Sequence, residues 1–160
     1  MFKMPEDFSS FYPLFFDALD MAIDRVMNEG VNSEGVPFSP YSQKQIPAFR
    51  FYETLSTFGS AQAQLKGKKT LSYADARQMV GRRTDIKNFQ FTGTMWQQLQ
   101  MIDPKIENGI LFADYGFPNL EDYKKYIMNS DREGVDLIGI SDEEMNILLD
   151  NFLKWFFEQL

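Results

Sequence analysis

Residues Asn88 to Ile102 read NFQFTGTMWQQLQMI, and the spacing of the apolar residues changes in the middle of that stretch, at a glycine. Phe89 and Phe91 alternate with Gln90 as a half-buried strand does, Thr92-Gly93 makes a turn, and Met95, Trp96 and Leu99 then recur at helical spacing. The stretch predicts a strand, a tight turn, and then a short helix or a second strand. It joins two periodicities and carries no chemistry itself, so its role is architectural.

Downstream, Asp103-Pro104 through Asn108-Gly109 reads as a turn region, because Asn-Gly favours the tight turns that join antiparallel strands. Gly109 to Tyr115 is the next predicted strand. Gly116, Pro118 and Asn119 end it, and Asn119 caps a short helix over Leu120 to Met128. The last helix has the clearest start signal, a capping box of Ser141 and Glu144, with Asp142 and Glu143 complementing the helix dipole. Met145, Leu148, Leu149, Phe152 and Phe156 make its stripe. Ile147, Leu153, Trp155, Phe157 and Leu160 spread well outside it, and a helix apolar on so many sides is rarely a free surface element.

Upstream, Met1 to Ser9 is a lead-in, and a first helix is expected from near Ser10 with Pro13 in its opening turn and Gly30 as its C-cap. Phe15, Leu19, Ala22, Ile23 and Val26 form its stripe, and Leu14, Phe16 and Met27 widen the apolar arc. Either the helix is engulfed by its own domain or its second face meets another chain. Asn32 to Pro47 is broken by Gly35, Pro37, Pro40 and Pro47 into an ordered loop or extended arm, with Phe38 and Tyr41 anchoring it on the core or on a neighbouring subunit. Ala48 to Phe58 is read as strand, Gly59 to Thr70 as a mobile loop or hairpin tip, and Ser72 to Val80 as a short helix. Residues 32–71 together make the arm and loops of a single domain spanning 1–160. The fold class that follows is α+β, with N- and C-terminal helices packed on a small antiparallel sheet.

Composition narrows the chemistry. The chain has 160 residues, 44% hydrophobic and with 16 Phe, enough for one Phe-rich core. Neither cysteine nor histidine is present, which excludes disulfides, zinc sites built on Cys or His, and Ser-His-Asp or Cys-His hydrolases. The N-terminal stretch MFKMPEDFSS lacks the apolar run of a signal peptide, and no later stretch reaches membrane-spanning length, so a cytoplasm-like compartment and no membrane are expected. Net charge is -7, yet Lys66 to Lys87 carries +5 and the remainder -12.

Candidate sites were weighed against ordinary surface roles. Asp114, Glu121, Asp122, Asp131, Glu133 and Asp136 are the carboxylates a glycosidase or metal-assisted mechanism would need, and their spacing reads as solvated acids. Asp131 to Asp136, DREGVD, resembles a calcium loop but lacks the alternating ligands and the closing glutamate, where Asp142 stands. Gly67 to Thr70, GKKT, ends like a phosphate-binding loop without its first glycine, Gln62 standing there, so nucleotide binding by that motif is rejected. The basic residues Lys66, Lys68, Lys69, Arg77, Arg82 and Arg83 face DNA phosphates or an acidic partner, or simply keep a surface solvated. No cofactor and no metal are expected.

Four pieces occur in an order that carries a resemblance. They are an amphipathic first helix followed by Gly35-Val36-Pro37-Phe38-Ser39-Pro40-Tyr41-Ser42; Phe89 to Met95 followed by Leu99; Ala113 to Gly116; and Arg132 ahead of Ile138-Gly139-Ile140-Ser141-Asp142-Glu143-Glu144 and the closing helix. This order resembles that of tailed-phage neck and tail-completion proteins, the virion-morphogenesis family of the head-to-tail junction. The resemblance covers about Leu14 to Leu160, with a link at Ala48 to Leu71 longer than the family's. It implies an α+β structural protein, not an enzyme, assembled as a ring of six or twelve copies in the virion. Its implied partners are itself, portal or adaptor and tail proteins, and packaged DNA held non-specifically. Phe38, Tyr41, Trp155 and Phe157 are the expected inter-subunit contacts. The alternative, resting on the acidic balance, is a small intracellular inhibitor or DNA-mimic binding module.

Overall fold

The computed structural model describes residues 9–89, 94–107 and 110–159. The expected turns at Thr92-Gly93 and Asn108-Gly109, Phe91, and the lead-in before Ser9 lie outside them. The fold is α+β, with helices around two small antiparallel sheets of two strands each.

Helix α1 (Tyr12–Asp24) follows one tight turn at Ser9–Phe11 and has Pro13 in its first turn, where a missing amide proton leaves no bond unmade. Ala18, Leu19 and Ala22 are its buried face. The helix then widens into a π turn over Arg25–Glu29 and stops at Gly30, whose φ of 72° is left-handed. A Cβ at Gly30 would lie 2.8 Å from Ile86 Cβ. Gly30→Ala is therefore expected to cost more than the ~1–2 kcal/mol of a left-handed backbone alone, read by chemical denaturation; unchanged stability would show that the chain can relax there.

The segment after Gly30 is not an extended arm. Phe38 donates its amide to Gly30 O at 2.9 Å, Val31 bridges Pro37, and Phe38 and Tyr41 are buried in the chain's own core. Strand β1 (Ile46–Pro47) pairs with β2 (Thr70–Leu71) in the register Ile46↔Leu71. Between them the structure corrects two expectations. Ala48–Phe51 is a 3-10 turn running into α2 (Tyr52–Ser56), and α3 (Gly59–Leu65) replaces the mobile loop. Ala48, Phe51, Leu55, Ala61 and Leu65 point inward at helical spacing, while Phe49 and Tyr52 stay exposed. Helix α4 (Tyr73–Met79) starts at Ser72, whose Oγ accepts from Asp75 N at 3.0 Å while Asp75 accepts from Ser72 N.

Phe89, where the expected strand begins, is not in a strand, and the rest of that strand lies outside the described residues. Phe89 has φ 54°, unusual for a residue with a side chain, and its ring meets Phe38 edge-on with centroids 4.9 Å apart. Helix α5 (Thr94–Gln97) is a single turn that sends Met95 and Trp96 into the core. Strands β3 (Gln100–Glu107) and β4 (Ile110–Gly116) form the main hairpin. The register slips by one residue between Ile102 and Lys105, so Asp103-Pro104 sits in a bulge, not a turn, as suits a residue with no amide proton. Helix α6 (Leu120–Glu133) is capped by Asn119 and runs past Met128 to Gly134, and α7 (Asp142–Glu158) closes the chain.

Two apolar clusters result. One gathers Leu19, Val26, Phe38, Met95, Trp96, Leu99, Tyr126, Leu137 and Ile138; the other gathers Ala48, Phe51, Leu55, Ala61, Leu65, Leu71, Ala76 and Met79. α1 packs on both α7 and β3, and Tyr115 Oη donates to Phe15 O at 2.9 Å, with burial pushing that phenol up to about 12. Among the described residues no helix is long and apolar enough to cross a membrane.

Candidate functional site

The closing helix presents the most distinctive surface. Its start is pinned at three places: Ser141 Oγ accepts from Glu144 N at 3.1 Å, Glu144 Oε2 accepts from Ser141 N at 2.7 Å, and Arg25 Nε donates to Glu144 Oε1 at 2.8 Å. Arg25 also donates to Val31 O and Gly139 O, at 3.0 and 2.7 Å. Burial pushes the Glu144 carboxyl up, but Arg25 and the Ser141 hydrogen bonds outweigh it, leaving it below the usual glutamate value.

Pinning Glu144 inward fixes the rotation of everything after it. Leu148, Phe152 and Trp155 follow on the inner side, Trp155 Nε1 donating to Ser10 Oγ at 2.9 Å and Phe11 packing edge-on against Phe152 at 4.9 Å between centroids. Met145 and Leu149, expected inside, are turned out. Met145 (44% exposed), Leu149 (50%), Leu153 (48%) and Phe157 (67%) recur every fourth residue as one outward apolar line. At the rise of an α-helix it is about 18 Å long. Phe157 is thus on the surface as an inter-subunit contact requires. Phe38, Tyr41 and Trp155 are not: each is less than a tenth exposed and anchors the chain's own core.

The basic run does not form one face. Lys66, Lys68 and Lys69 are exposed together between α3 and β2. Arg82 is half-buried. Arg83 is exposed but holds Asp85 at 2.7 Å and donates to Asn28 O, and its guanidinium brings the Asp85 carboxyl down to about 2. Arg77 leaves the expected phosphate-facing set altogether. It is 0% exposed, donates Nε to Arg83 O at 2.9 Å and Nη2 to Asn88 Oδ1 at 2.8 Å, and lies 4.1 Å from the centre of the Tyr41 ring. Tyr41 Oη donates to Asn88 Oδ1 and accepts from the amides of Asn88 and Phe89, all within 3.1 Å. Burial raises the Tyr41 phenol and draws the Arg77 guanidinium below its usual value. Nothing in a linear reading distinguishes this arginine from its neighbours except its place on the side of α4 that carries buried Ala76 and Met79.

Three of the six candidate carboxylates are tied into the fold. Asp122 is a helix-start acid bonded to Asn119 and Lys125, Asp136 accepts from Tyr126 Oη and Ile138 N, and Glu133 holds Lys87 at 2.5 Å. Asp114, Glu121 and Asp131 are exposed. Among the described residues no three Asp or Glu side chains are grouped to hold a metal ion. No protein-family model, curated protein or solved structure matches the chain. What this arrangement can do is dock: a rigidly oriented helix offers an apolar line to another surface.

Proposed function

We propose that this chain is a structural subunit of a tailed-phage head-to-tail junction, a neck or tail-completion ring protein linking portal or adaptor to the tail. It assembles with copies of itself and acts in the virion, without catalysis. The observation that carries the reading is the outward line Met145, Leu149, Leu153, Phe157, which a solitary protein would keep in contact with water. The order of the four motifs, from the Gly35 to Ser42 segment to the Ser141 helix start, supports the same role. Within the basic run, Lys66, Lys68 and Lys69 are exposed and carry no ion pair among the described residues, which supports their facing packaged DNA or an acidic partner.

Sedimentation velocity and negative-stain microscopy of the chain, alone and with its junction partners, test this. Rings are expected for the wild type, and Leu153→Glu with Phe157→Glu is expected to abolish them while circular dichroism and melting stay unchanged. A wild type that remains a monomer under both conditions overturns the proposal. Stoichiometric capture of one host enzyme by that monomer would establish the inhibitor or DNA-mimic role in its place.

A further inference from the structure

The acidic chain contains a concave cationic cleft that the basic run does not account for. Its walls come from three separated segments: Ser39, Ser42 and Lys44 after the first proline turn, Tyr73 at the start of α4, and Lys87 with Phe89, closed by Arg132 in the last turn of α6. The cavity is about 460 Å³, inside the range of small-ligand sites. Lys44, Lys87 and Arg132 line it, and among the described residues no acid does.

The floor is already built. Lys87 Nζ donates to Glu133 Oε1 at 2.5 Å and to Ser39 Oγ at 3.1 Å, and lies 5.4 Å from the centre of the Phe89 ring. Glu133 in turn accepts from Ser39 N and Oγ, both at 2.9 Å, so the floor's charges cancel and its polar groups are fixed. The rim differs. The side chains of Lys44 and Arg132 are exposed and hold no ion pair or hydrogen bond among the described residues. Two uncompensated cations therefore face the same space as Tyr73, which is 36% exposed and stands beside Tyr41. Cations over an aromatic wall, with hydroxyls from Ser39 and Ser42, suit an anion attached to a flat ring.

We infer that this cleft binds a nucleotide unit of single-stranded nucleic acid, its phosphate held by Arg132 and Lys44 and its base laid against Tyr73. Arg132 supplies the planar fork that matches a phosphate, and Lys44 the second charge. Folding brings Tyr73, from within the basic run, and Phe89, two residues past its end, to the same cleft. This holds whether or not the chain forms rings.

Calorimetric titration of the full chain tests it, with a five-residue oligothymidylate, inorganic phosphate and pentaglutamate as separate probes. Oligothymidylate is expected to bind more tightly than phosphate, and pentaglutamate to bind more weakly than either. Lys44→Gln with Arg132→Gln is expected to weaken oligothymidylate by about tenfold or more, and to flatten the log-log salt dependence by about 0.7, the share of one phosphate. Tyr73→Leu is expected to weaken oligothymidylate about fivefold or more while leaving phosphate unchanged. Both rim cations are exposed, so their replacement leaves the fold intact, and Lys124→Gln with Lys154→Gln, exposed on α6 and α7, controls for charge alone. No heat with oligothymidylate, equal loss in the control, or equal affinity for pentaglutamate each overturns the inference; the last would make this a site for acidic protein segments.

Discussion

Arg25→Ala is expected to lower the unfolding free energy by about 3–5 kcal/mol, the cost of leaving a buried ion-pair partner alone. The side chains of Arg25 and Glu144 are only 10% and 7% exposed, so the attraction between them is weakly screened and the desolvation of each is compensated by the other. Arg25 also serves Val31 O and Gly139 O, which lose their donor together. For a chain of this size the melting point should fall by roughly 10 °C, at about 2–4 °C per kcal/mol. Glu144→Gln is expected to cost less, because a glutamine still completes the capping box at Ser141.

The pH dependence separates this from simple loss of packing. The folded-state pKa of Glu144 lies below its ordinary 4.5, so its contribution is full above that value and disappears as pH falls through the folded pKa. Glu133, held by Lys87 and Ser39 against its burial, behaves in the same direction. The wild type should therefore lose stability in acid. In Arg25→Ala only the Ser141 hydrogen bonds still oppose burial, so the Glu144 pKa rises from its wild-type position and the gap between variant and wild type should narrow below about pH 4. A cost under 1 kcal/mol, or a gap independent of pH, contradicts the assignment. Because the same pair sets the rotation of α7, the variant should also impair assembly more than its stability loss explains.

How far the fold was readable depended on whether a local signal existed. The helix starts at Ser72, Asn119 and Ser141 were legible because capping is local chemistry, a side chain meeting an otherwise unbonded amide three residues on, and Pro13 marked the first helix because it has no amide proton to satisfy. The β-favouring aromatics of Ala48 to Phe58 misled. Ala48, Phe51 and Leu55 already stood at helical spacing, and burial of that face outweighed the propensity of Phe49, Tyr52 and Thr54, which remain exposed. Asp103-Pro104 read as a turn because a proline breaks a strand ladder, but a bulge absorbs it equally well. On α7 the apolar residues were visible and their inner and outer sides were not, since Arg25, over a hundred residues away in the chain, decides the rotation. The cleft was illegible for the same reason: Lys44, Tyr73 and Arg132 share nothing in sequence.

The largest remaining effect is expected at Arg77. Arg77 stands on α4 beside Ala76 and Met79 of the second apolar cluster, and it reaches Asn88, whose carbonyl accepts from Trp96 Nε1 of the first at 3.1 Å. With Tyr41 stacked on its guanidinium, this buried polar group is the bridge between two cores that otherwise differ in chain segment and composition. Arg77→Met keeps the apolar stem, leaves Arg83 O without its donor, and removes the charge from the Tyr41 face; about 3 kcal/mol is expected to be lost. Arg77→Lys should recover only part of it, because an ammonium cannot serve Arg83 O and Asn88 Oδ1 with the geometry of a planar fork. The deciding measurement is the shape of denaturant unfolding. Leu55→Ala, which opens space in the second cluster at a cost of about 2–5 kcal/mol, leaves the bridge in place and should unfold in one transition with an unchanged slope. Arg77→Met, at similar or smaller cost, should show a reduced slope or two transitions, with Trp96 fluorescence lagging the helical signal of α2 to α4. Coincident transitions in both variants would mean that the two clusters are coupled through apolar contact alone and that Arg77 merely fills its site.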